Sequence, residues 1–428
     1  MKETKDGYKK TEIGVLPEDW AVLKLKSLCT KITDGTHKTP QYTEIGIPFL
    51  RVTDIQKKEI DWKNVKYISK EEHIQLVKRC KPEMGDILYS KNGTIGIPKI
   101  IDWQKEFSIF VSLCLIKVTE GSINKKFLEQ FLKSDNCLRQ IKLRAKQGTV
   151  TNLHLEEIRE LEIPLPTVKE QHRIAEILSA TDVHLEKLDT IIADTQLLKK
   201  ALMQQLLTRG IGHTEFKDTE IGEIPKAWEV NTLENICVKK GLVRGPFGGA
   251  LKKAYFQEKG YKVYEQKNAI NKSALIGNYF IDEVKFKELE RFSLKEGDFI
   301  VSCSGTIGKI FRIPQGFEKG VINQALLKIT LDKQKFNDGF FYQYFEWEAF
   351  QNKITENTQG GAMKNLVGMD IIKKTLLPIP SLSEQHRIAE ILFSIDDRIK
   401  LYEKEKTDFT KLKKGLMEQL LTGKIRVN

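Results

Sequence analysis

Carboxylate, amide and imidazole side chains stand side by side at two places in the sequence. The nonapeptide EQHRIAEIL occupies Glu170–Leu178 and again Glu384–Leu392, and all nine residues are identical. Glutamate and histidine are residue types that acid–base catalysis and metal binding use often. His172 and His386 have no second metal ligand nearby in the sequence, so we expect them to pack or to dock a partner rather than to bind metal.

Both glutamates stand at the predicted start of a long helix. Each follows a proline, which favours extended chain before a helix, and a hydroxyl residue three positions earlier: Pro166 and Thr167 in the first copy, Pro380 and Ser381 in the second. This pattern fits a capping box, in which the hydroxyl and the carboxylate each accept a backbone N–H. We therefore predict that Glu170 and Glu384 are helix caps rather than catalytic acids.

Gly210 and Gly423 mark the predicted ends of the two helices. Some 40 residues at ~1.5 Å each give a rod on the order of 60 Å long. Mostly apolar residues recur every seven positions and predict a coiled-coil seam. The seam positions are Ile174, Thr181, Leu188, Thr195 and Leu202 in the first copy and Ile388, Ile395, Tyr402, Phe409 and Leu416 in the second. An antiparallel pair of such helices would place one globule at each end.

The nonapeptide is the centre of a duplication that covers the whole chain. Pro164–Thr208 and Pro378–Thr422 align without a gap and share 22 of 45 residues. Thr11–Trp20 and Thr219–Trp228 share six of ten. Each half therefore has an entry motif, a variable region and a repeated helix, and the repeating unit is half of the chain.

The variable regions predict mixed globules, because short β-rich runs such as Ile47–Val52 and Asp298–Ser302 alternate with glycine turns. The predicted fold class is α+β, with two mixed globular domains separated and joined by two long helices in an antiparallel coiled coil, as a pseudo-twofold internal repeat. The first predicted domain is a globule with its entry segment at residues 1–165, followed by a first helix at 166–210. The second globule with its entry segment covers 211–379, and a second helix with the C-terminal tail covers 380–428.

The composition indicates a globular protein with a polyanionic partner. The 428 residues carry a net charge of +12, and the segments outside 170–208 and 384–422 hold an excess of +14. The six cysteines form no C-x-x-C pair and no cluster with the seven histidines, so the sequence indicates neither a disulfide framework nor a zinc site and favours reduced thiols. No signal-peptide pattern and no run of roughly 20 apolar residues is present, so we expect a cytoplasmic protein.

The paired P-[LI]-P-x3-EQHRIAEIL segments, each opening a long helix after a variable region, resemble the DNA-specificity subunit of type I restriction-modification enzymes. The segments Thr33–Pro40 and Gly245–Lys252 strengthen the resemblance, which extends from about Thr11 to the C-terminus. It implies that each variable region is a target-recognition domain for one half of a bipartite, asymmetric DNA site, and that the helices set the distance between the halves.

The resemblance also implies the partners. The helices would dock two copies of an adenine-N6 methyltransferase subunit, and a restriction subunit with motor and nuclease activities can join them. S-adenosylmethionine, ATP and magnesium would belong to those partners, so no cofactor and no metal is expected in this chain. The sequence agrees, since it lacks the [DNS]-P-P-[YFW] loop of adenine methyltransferases and the P-loop of ATPases. We therefore expect a non-catalytic subunit.

Phosphate attraction needs Lys and Arg, and base recognition adds Asn, Gln, Ser and Thr. The predicted DNA-binding residues are Thr36, His37, Lys38, Lys91, Asn92, Thr94, Lys146 and Gln147 in the first half and Arg244, Lys252, Lys253, Ser302, Ser304, Thr306, Gln359 and Lys364 in the second. The predicted docking residues are Gln171, Arg173, Ile174, Gln385, Arg387 and Ile388. A solvated basic face at Arg244, Lys252 and Lys253, and plain tight turns at the Gly-Thr-Ile-Gly segments, remain the structural alternatives.

Two other functions fit the same sequence. The chain could be the recognition subunit of another, type II-like methylation or restriction system, because the same kind of domain serves several such systems. It could also be a non-catalytic coiled-coil scaffold that binds proteins. The second alternative leaves the basic excess of the globules unexplained.

Overall fold

A computed structural model describes residues 6–57, 59–144, 152–356, 365–366 and 368–427. The chain divides into two compact units, Met1–Thr190 with Glu403–Asn428, and Ile191–Tyr402. Each long helix therefore contributes one part to each unit. The predicted domain boundaries, which set each helix apart as a segment of its own, stay predictions.

The first half of the chain contains twelve described strands and six described α-helices. The strands are β1 (Tyr8–Thr11), β2 (Gly14–Pro17), β3 (Ala21–Lys24), β4 (Cys29–Asp34), β5 (Tyr42–Thr43), β6 (Ile47–Leu50), β7 (Lys66–Ile68), β8 (Ile87–Ser90), β9 (Pro98–Ile100), β10 (Ser108–Ile109), β11 (Leu113–Val118) and β12 (Glu162–Leu165). The helices are α1 (Val52–Ile55), α2 (Lys70–Val77), α3 (Lys125–Leu132), α4 (Asp135–Arg144), α5 (Leu155–Arg159) and the long α6 (Val168–Arg209), with a 3-10 turn at Leu25–Leu28.

The second half repeats this plan. Its described strands are β13 (Phe216–Thr219), β14 (Gly222–Pro225), β15 (Glu229–Thr232), β16 (Cys237–Arg244), β17 (Tyr261–Tyr264), β18 (Phe280–Ile281), β19 (Phe299–Ser302), β20 (Ile310–Arg312), β21 (Gly320–Ile322), β22 (Leu326–Leu331), β23 (Thr355–Glu356), β24 (Asn365–Leu366) and β25 (Leu376–Ile379). Its described helices are α7 (Gln266–Ile270), α8 (Glu283–Glu288), α9 (Asp338–Glu346), α10 (Glu348–Ile354), α11 (Met369–Lys374) and the long α12 (Leu382–Leu420), with 3-10 turns at Gly248–Leu251, Lys253–Tyr255 and Glu290–Phe292.

The two globules share one sheet topology. The central antiparallel sheet has the order β4-β11-β8-β9 in the first and β16-β22-β19-β20 in the second. A second sheet pairs β6 in parallel with β10 and, at the matching place, β17 in parallel with β21. The globules are thus two versions of one α+β fold, as the duplication predicts.

Each central sheet buries one face under helices. In the first unit, Trp20, Phe127 on α3 and Ile174 on α6 belong to one apolar core that also includes Leu420 of α12. In the second unit, the corresponding core includes Trp228, Phe340 on α9, Ile388 on α12 and Leu207 of α6. Each globule therefore packs on the start of one long helix and on the end of the other.

The long helices pair antiparallel, which confirms the predicted coiled coil. In the first unit Lys413 pairs with Asp182 and Lys406 with Asp189, so residue numbers rise on one helix as they fall on the other. Leu188 is buried, and the rings of His184 and Phe409 lie 4.0 Å apart. The 42 residues of α6 at ~1.5 Å rise give about 63 Å.

One aspartate on each long helix joins three elements. Asp182 accepts hydrogen bonds from Gln130 Nε2 on α3, at 2.7 Å, and from Lys413 on α12. In the second unit Asp396 accepts from Gln343 Nε2 on α9 at 2.8 Å and from Lys199 on α6 at 2.6 Å. The same Gln-Asp-Lys contact therefore fastens each globule to both helices.

Among the described residues, no helix is both long enough and apolar enough to cross a membrane. Within those same ranges, no three His, Cys, Asp or Glu side chains are grouped so that they could hold a metal ion. All six cysteines are free, and five are buried. Burial raises the pKa of the Cys137 and Cys237 thiols to about 12, so both are protonated at neutral pH.

We predict that Asp396→Ala lowers the free energy of unfolding by about 1.5–3 kcal/mol, because Gln343 and Lys199 lose a charged acceptor. Thermal unfolding measures the change as a fall of the melting temperature of about 5 °C. The matched control is Asp397→Ala, since Asp397 is exposed and pairs with Lys400 on the same helix. The control should stay within about 0.5 kcal/mol of the wild type, and equal losses for both variants would contradict the role of Asp396.

Candidate nucleic-acid interface and docking surface

The carboxylate of Glu170 holds two distant parts of the first unit together. Its Oε2 accepts the indole N–H of Trp20 at 3.1 Å, and its Oε1 accepts Nε of Arg426 in the C-terminal tail at 2.7 Å. Glu170 is only 2% exposed. Arg426 also forms a bidentate pair with Asp19, and this hydrogen bonding holds the pKa of the Asp19 carboxyl below its usual value.

Glu384 makes the corresponding contacts in the second unit. Its carboxylate accepts the indole N–H of Trp228 at 2.9 Å and two N–H groups of the segment that follows α6, from the Ile211 backbone and from His213 Nε2, both at 2.9 Å. Each glutamate thus binds the tryptophan of its own entry motif and the segment that follows the other long helix.

The capping-box prediction is half correct. The backbone N–H of Glu170 donates to Thr167 Oγ1, and that of Glu384 to Ser381 Oγ, at 3.3 Å in both copies. The carboxylates bind tryptophan and a returning segment instead of the N-cap backbone. A carboxylate that is shielded from water needs strong donors, and the indole N–H, Arg426 and His213 supply them.

The predicted helix ends are confirmed at both glycines. Gly210 and Gly423 have φ values of +63° and +64°, which favour glycine. A Cβ on Gly210 would lie 2.4 Å from Glu384 Oε1, and one on Gly423 would lie 2.4 Å from Cγ of Pro17. Gly210 therefore lets the segment that follows α6 approach Glu384 closely, and Gly423 lets the segment that follows α12 approach Pro17 closely.

Four of the six predicted docking residues are buried against their own globule. Gln171 accepts the backbone N–H of Asn124 at 2.8 Å and donates to the Pro166 carbonyl at 2.9 Å. Gln385 repeats both bonds, with the Asn337 N–H at 2.7 Å and the Pro380 carbonyl at 2.8 Å. Ile174 and Ile388 lie in the apolar cores. These placements favour a scaffolding role for the four residues.

The other two predicted docking residues face solvent. Arg173 and Arg387 are exposed, together with the histidine before each and the glutamate three residues after each. We call these two sets the helix-start faces: His172, Arg173 and Glu176 on α6, and His386, Arg387 and Glu390 on α12. Their docking role stays a prediction.

Two pairs of scaffold residues were not identified in the sequence. Asn124 and Asn337 cap α3 and α9 and bind the repeated glutamine, and Gln130 and Gln343 bind the repeated aspartate. The signal is present as NKKFLEQFL at 124–132 and NDGFFYQYF at 337–345, where Asn, Phe and Gln recur at the same positions. Only three of nine residues agree, so the match does not stand out in divergent sequence.

In the first globule, Asp34 brings two of the predicted DNA-binding loops together. It ends β4, is 2% exposed, and lies 3.2 Å from Nε2 of His37 and 3.3 Å from Nζ of Lys91. Lys91 is buried, which favours a role in fixing the loop over direct phosphate contact. Thr36 Oγ1 accepts the N–H of Lys38 at 3.2 Å, and His37 and Lys38 are exposed.

The Gly-Thr-Ile-Gly segments form tight turns between β8 and β9 and between β19 and β20. Ser90 Oγ accepts the backbone N–H of Ile97 at 2.8 Å, and the buried Ser302 accepts that of Lys309 at 3.0 Å. Among the predicted DNA-binding residues on these turns, Asn92 is half-buried. The other three, Thr94, Ser304 and Thr306, are exposed. The turns therefore present short polar side chains at the same end of both sheets.

In the second globule, Arg244 occupies the place that Asp34 has in the first. Asp34 pairs with Cys114 on β11, and Arg244 pairs with Leu327 on β22, in the same register. Nε of Arg244 is buried and has no hydrogen-bond partner in the described part of the chain. Lys252, between the two following 3-10 turns, and Lys253, at the start of the second, are exposed. Lys146, Gln147, Gln359 and Lys364 lie outside the described residues.

The geometry defines a class of protein: duplicated globules on antiparallel helices, with unlike polar loops gathered at matching sheet ends. A family model described as the type I restriction modification DNA specificity domain matches residues 17–193 and again 225–410. The chain belongs to this family. The two matches fall on the two halves of the internal repeat.

Relatives cover the chain from end to end. A protein of Methanocaldococcus jannaschii that carries the name type I restriction enzyme MjaX specificity subunit is 31% identical, over 99% of this chain and 97% of the relative. The MjaVIII specificity subunit of that organism is 28% identical, over 96% and 94%. Family membership makes this chain a specificity component rather than a catalytic subunit.

Solved structures agree with the fold. The type I restriction-modification S subunit from M. genitalium has a TM-score of 0.55 at 18% identity, covering 94% of this chain and 96% of that one. A chain from a structure of type I R-M complex assembly and conformational transition has a TM-score of 0.58 at 14% identity, covering 96% and 99%. At such identities these likenesses show the fold alone.

We predict that Glu170→Gln loosens the C-terminal tail, because Arg426 loses a charged acceptor while Trp20 keeps a neutral one. The backbone N–H of Ile425, which donates to the Gln419 carbonyl, reports the loss. Its hydrogen exchange should accelerate about tenfold, corresponding to roughly 1.4 kcal/mol of local stability. Glu176→Gln is the control, since Glu176 is exposed and pairs with Arg173 alone among described contacts. Equal exchange rates of the Ile425 N–H in both variants would contradict the prediction.

Proposed function

We propose that this specificity subunit recognises a bipartite, asymmetric site in double-stranded DNA, one half with each globule. The observation that carries the proposal is one sheet scaffold present twice with unlike side chains at the same strand end, Asp34 in one copy and Arg244 in the other. Equal scaffolds give equal ways of approaching DNA, and unlike side chains give different base preferences. The charge excess of +14 outside the repeated segments supplies the attraction to phosphates.

The repeated helices support a proposal for the partners. Because the helix-start faces carry the same three residues twice, they suit two copies of one partner, which we propose is the adenine-N6 methyltransferase subunit. The restriction subunit would join that assembly. Methyl transfer and ATP-driven cleavage would then be performed by the partners, which would bind S-adenosylmethionine, ATP and magnesium. This chain would bind and position them on DNA in the cytoplasm.

Mapping N6-methyladenine across the host genome, with and without this gene, tests the recognition proposal. We expect methylation to disappear at one motif with two specified parts and a fixed gap. Replacing only the first globule should change only one part of the motif. Loss of methylation at a continuous palindrome would contradict the bipartite assignment, and an unchanged map in cells that express the complex would contradict the function itself.

Stoichiometry tests the partner proposal. We predict that Arg173→Glu and Arg387→Glu each reduce the bound methyltransferase subunits from two to one, because the reversed charge repels the surface that the arginine attracts. The double variant should bind none. Native mass spectrometry of the purified complex counts the copies. Arg398→Glu, at another exposed arginine of α12, is the control; two bound copies in all variants would rule out the helix-start faces.

A further inference from the structure

The buried carboxylate of Asp34 has basic neighbours from three separate elements. His37 follows β4, Lys91 follows β8, and Arg79 follows α2. Lys91 is buried with Asp34, whereas the side chains of Arg79 and His37 are 53% and 63% exposed. No motif in the sequence points to Arg79.

The charges in this cluster do not cancel. The ammonium of Lys91 and the carboxylate of Asp34 form a buried pair, and a buried ammonium needs such a partner. The guanidinium of Arg79 adds a further positive charge at the surface. Its Nη2 donates to Asp34 and its Nη1 donates to the Gly35 carbonyl at 3.4 Å. The arginine is thus fixed in place while about half of its side chain faces solvent.

The second globule has an arginine at the same corner of its sheet. Arg244 stands at the position of Asp34, and Gly245 corresponds to Gly35. Each glycine packs against a backbone carbonyl, that of Asn323 just after β21 and that of Ile109 at the end of β10 respectively. Arg79 binds Asp34 and the Gly35 carbonyl. The two globules therefore place a guanidinium at equivalent corners, one from the strand itself and one from the end of a helix.

We infer that Arg79 contacts a phosphate of the DNA backbone at the first half-site, and that Asp34 is the positioning residue that holds it there. The inference rests on the proposed function and adds to it one DNA-contacting residue and the part of the DNA that this residue contacts. A phosphate fits better than a base edge, because Asp34 and Gly35 hold both terminal nitrogens of the guanidinium at the corner of the sheet, and most protein–DNA hydrogen bonds go to phosphate and sugar. The guanidinium has five N–H groups and uses two of them on Asp34 and Gly35, so three remain for phosphate oxygens.

A phosphate contact leaves a signature in the salt dependence of binding. Each neutralised phosphate releases counterions and contributes about −0.9 to the slope of log K against log salt concentration. Removing one such contact should therefore reduce the slope by about 0.9 and weaken binding about fivefold at 0.15 M salt. A merely structural arginine would change the melting temperature without changing this slope.

The test uses the full chain in complex with its methyltransferase subunit. Fluorescence anisotropy measures the affinity of the complex for two DNA duplexes, one that carries the mapped motif and one that is scrambled. The measurements run from about 0.05 to 0.2 M potassium chloride, the range in which phosphate contacts dominate. We expect Arg79→Gln to reduce the slope of log K against log salt concentration and to weaken binding of both duplexes equally. Arg79→Lys should restore the wild-type slope. Arg291→Gln, at an exposed arginine of the second globule, should match the wild type.

Two results would overturn the inference. A wild-type slope and affinity in Arg79→Gln would show that the arginine is structural, and a loss confined to the motif duplex would show a base contact instead. If the glutamine variant is unstable, Arg79→Met takes its place beside Arg79→Lys, which keeps the positive charge. A phosphate contact lowers the slope in the methionine variant alone, a structural arginine leaves the slope unchanged in both, and a base contact removes motif preference in both. A wild-type complex that does not prefer its mapped motif would contradict the proposed function and leave this inference without its basis.

Discussion

The carboxylates of Glu170, which is buried, and Glu384, which is largely shielded from solvent, are the constraint on which the rest of the structure depends. An unpaired carboxylate in an apolar core costs several kcal/mol, so each must recruit donors from elsewhere in the chain. Trp20 and Trp228 come from the entry motifs, and Arg426 and His213 come from the segments that follow the opposite helices. Satisfying one carboxylate therefore brings together three parts of the sequence and fixes a globule on two helices.

This requirement explains why some segments of the two halves stay alike while others differ. The repeated glutamine and aspartate meet the same partners in both units, and the repeated glutamate binds the tryptophan of the entry motif in both, so a change would leave a polar group without its partner. The strand ends bearing Asp34 and Arg244 carry no such shared contact and differ even in the sign of their charge. The scaffold is constrained by contacts that both units share, whereas these strand ends can differ between the two globules.

The sequence predicted the features that depend on local chemistry. The helix ends at Gly210 and Gly423, the coiled-coil seam and the duplication all follow from neighbouring residues or from a direct repeat. Prediction failed where the partner is distant. The carboxylate of Glu170 binds Trp20, which is 150 residues away in the sequence. Lys91 is buried because Asp34, on another strand, lies beside it. Such contacts depend on the packing of strands that single-sequence patterns do not reveal, and the same limit hid Arg79.

The position of the C-terminal tail has a consequence for biosynthesis. The Tyr8 hydroxyl donates to the Gly423 carbonyl, and Arg426 binds Asp19, so the first unit includes contacts across more than 400 residues. The second unit is a continuous stretch, Ile191–Tyr402. Domains usually complete in the order of synthesis, but here the first globule lacks part of its core until the ribosome has made the last helix. The second unit can therefore finish folding before the first.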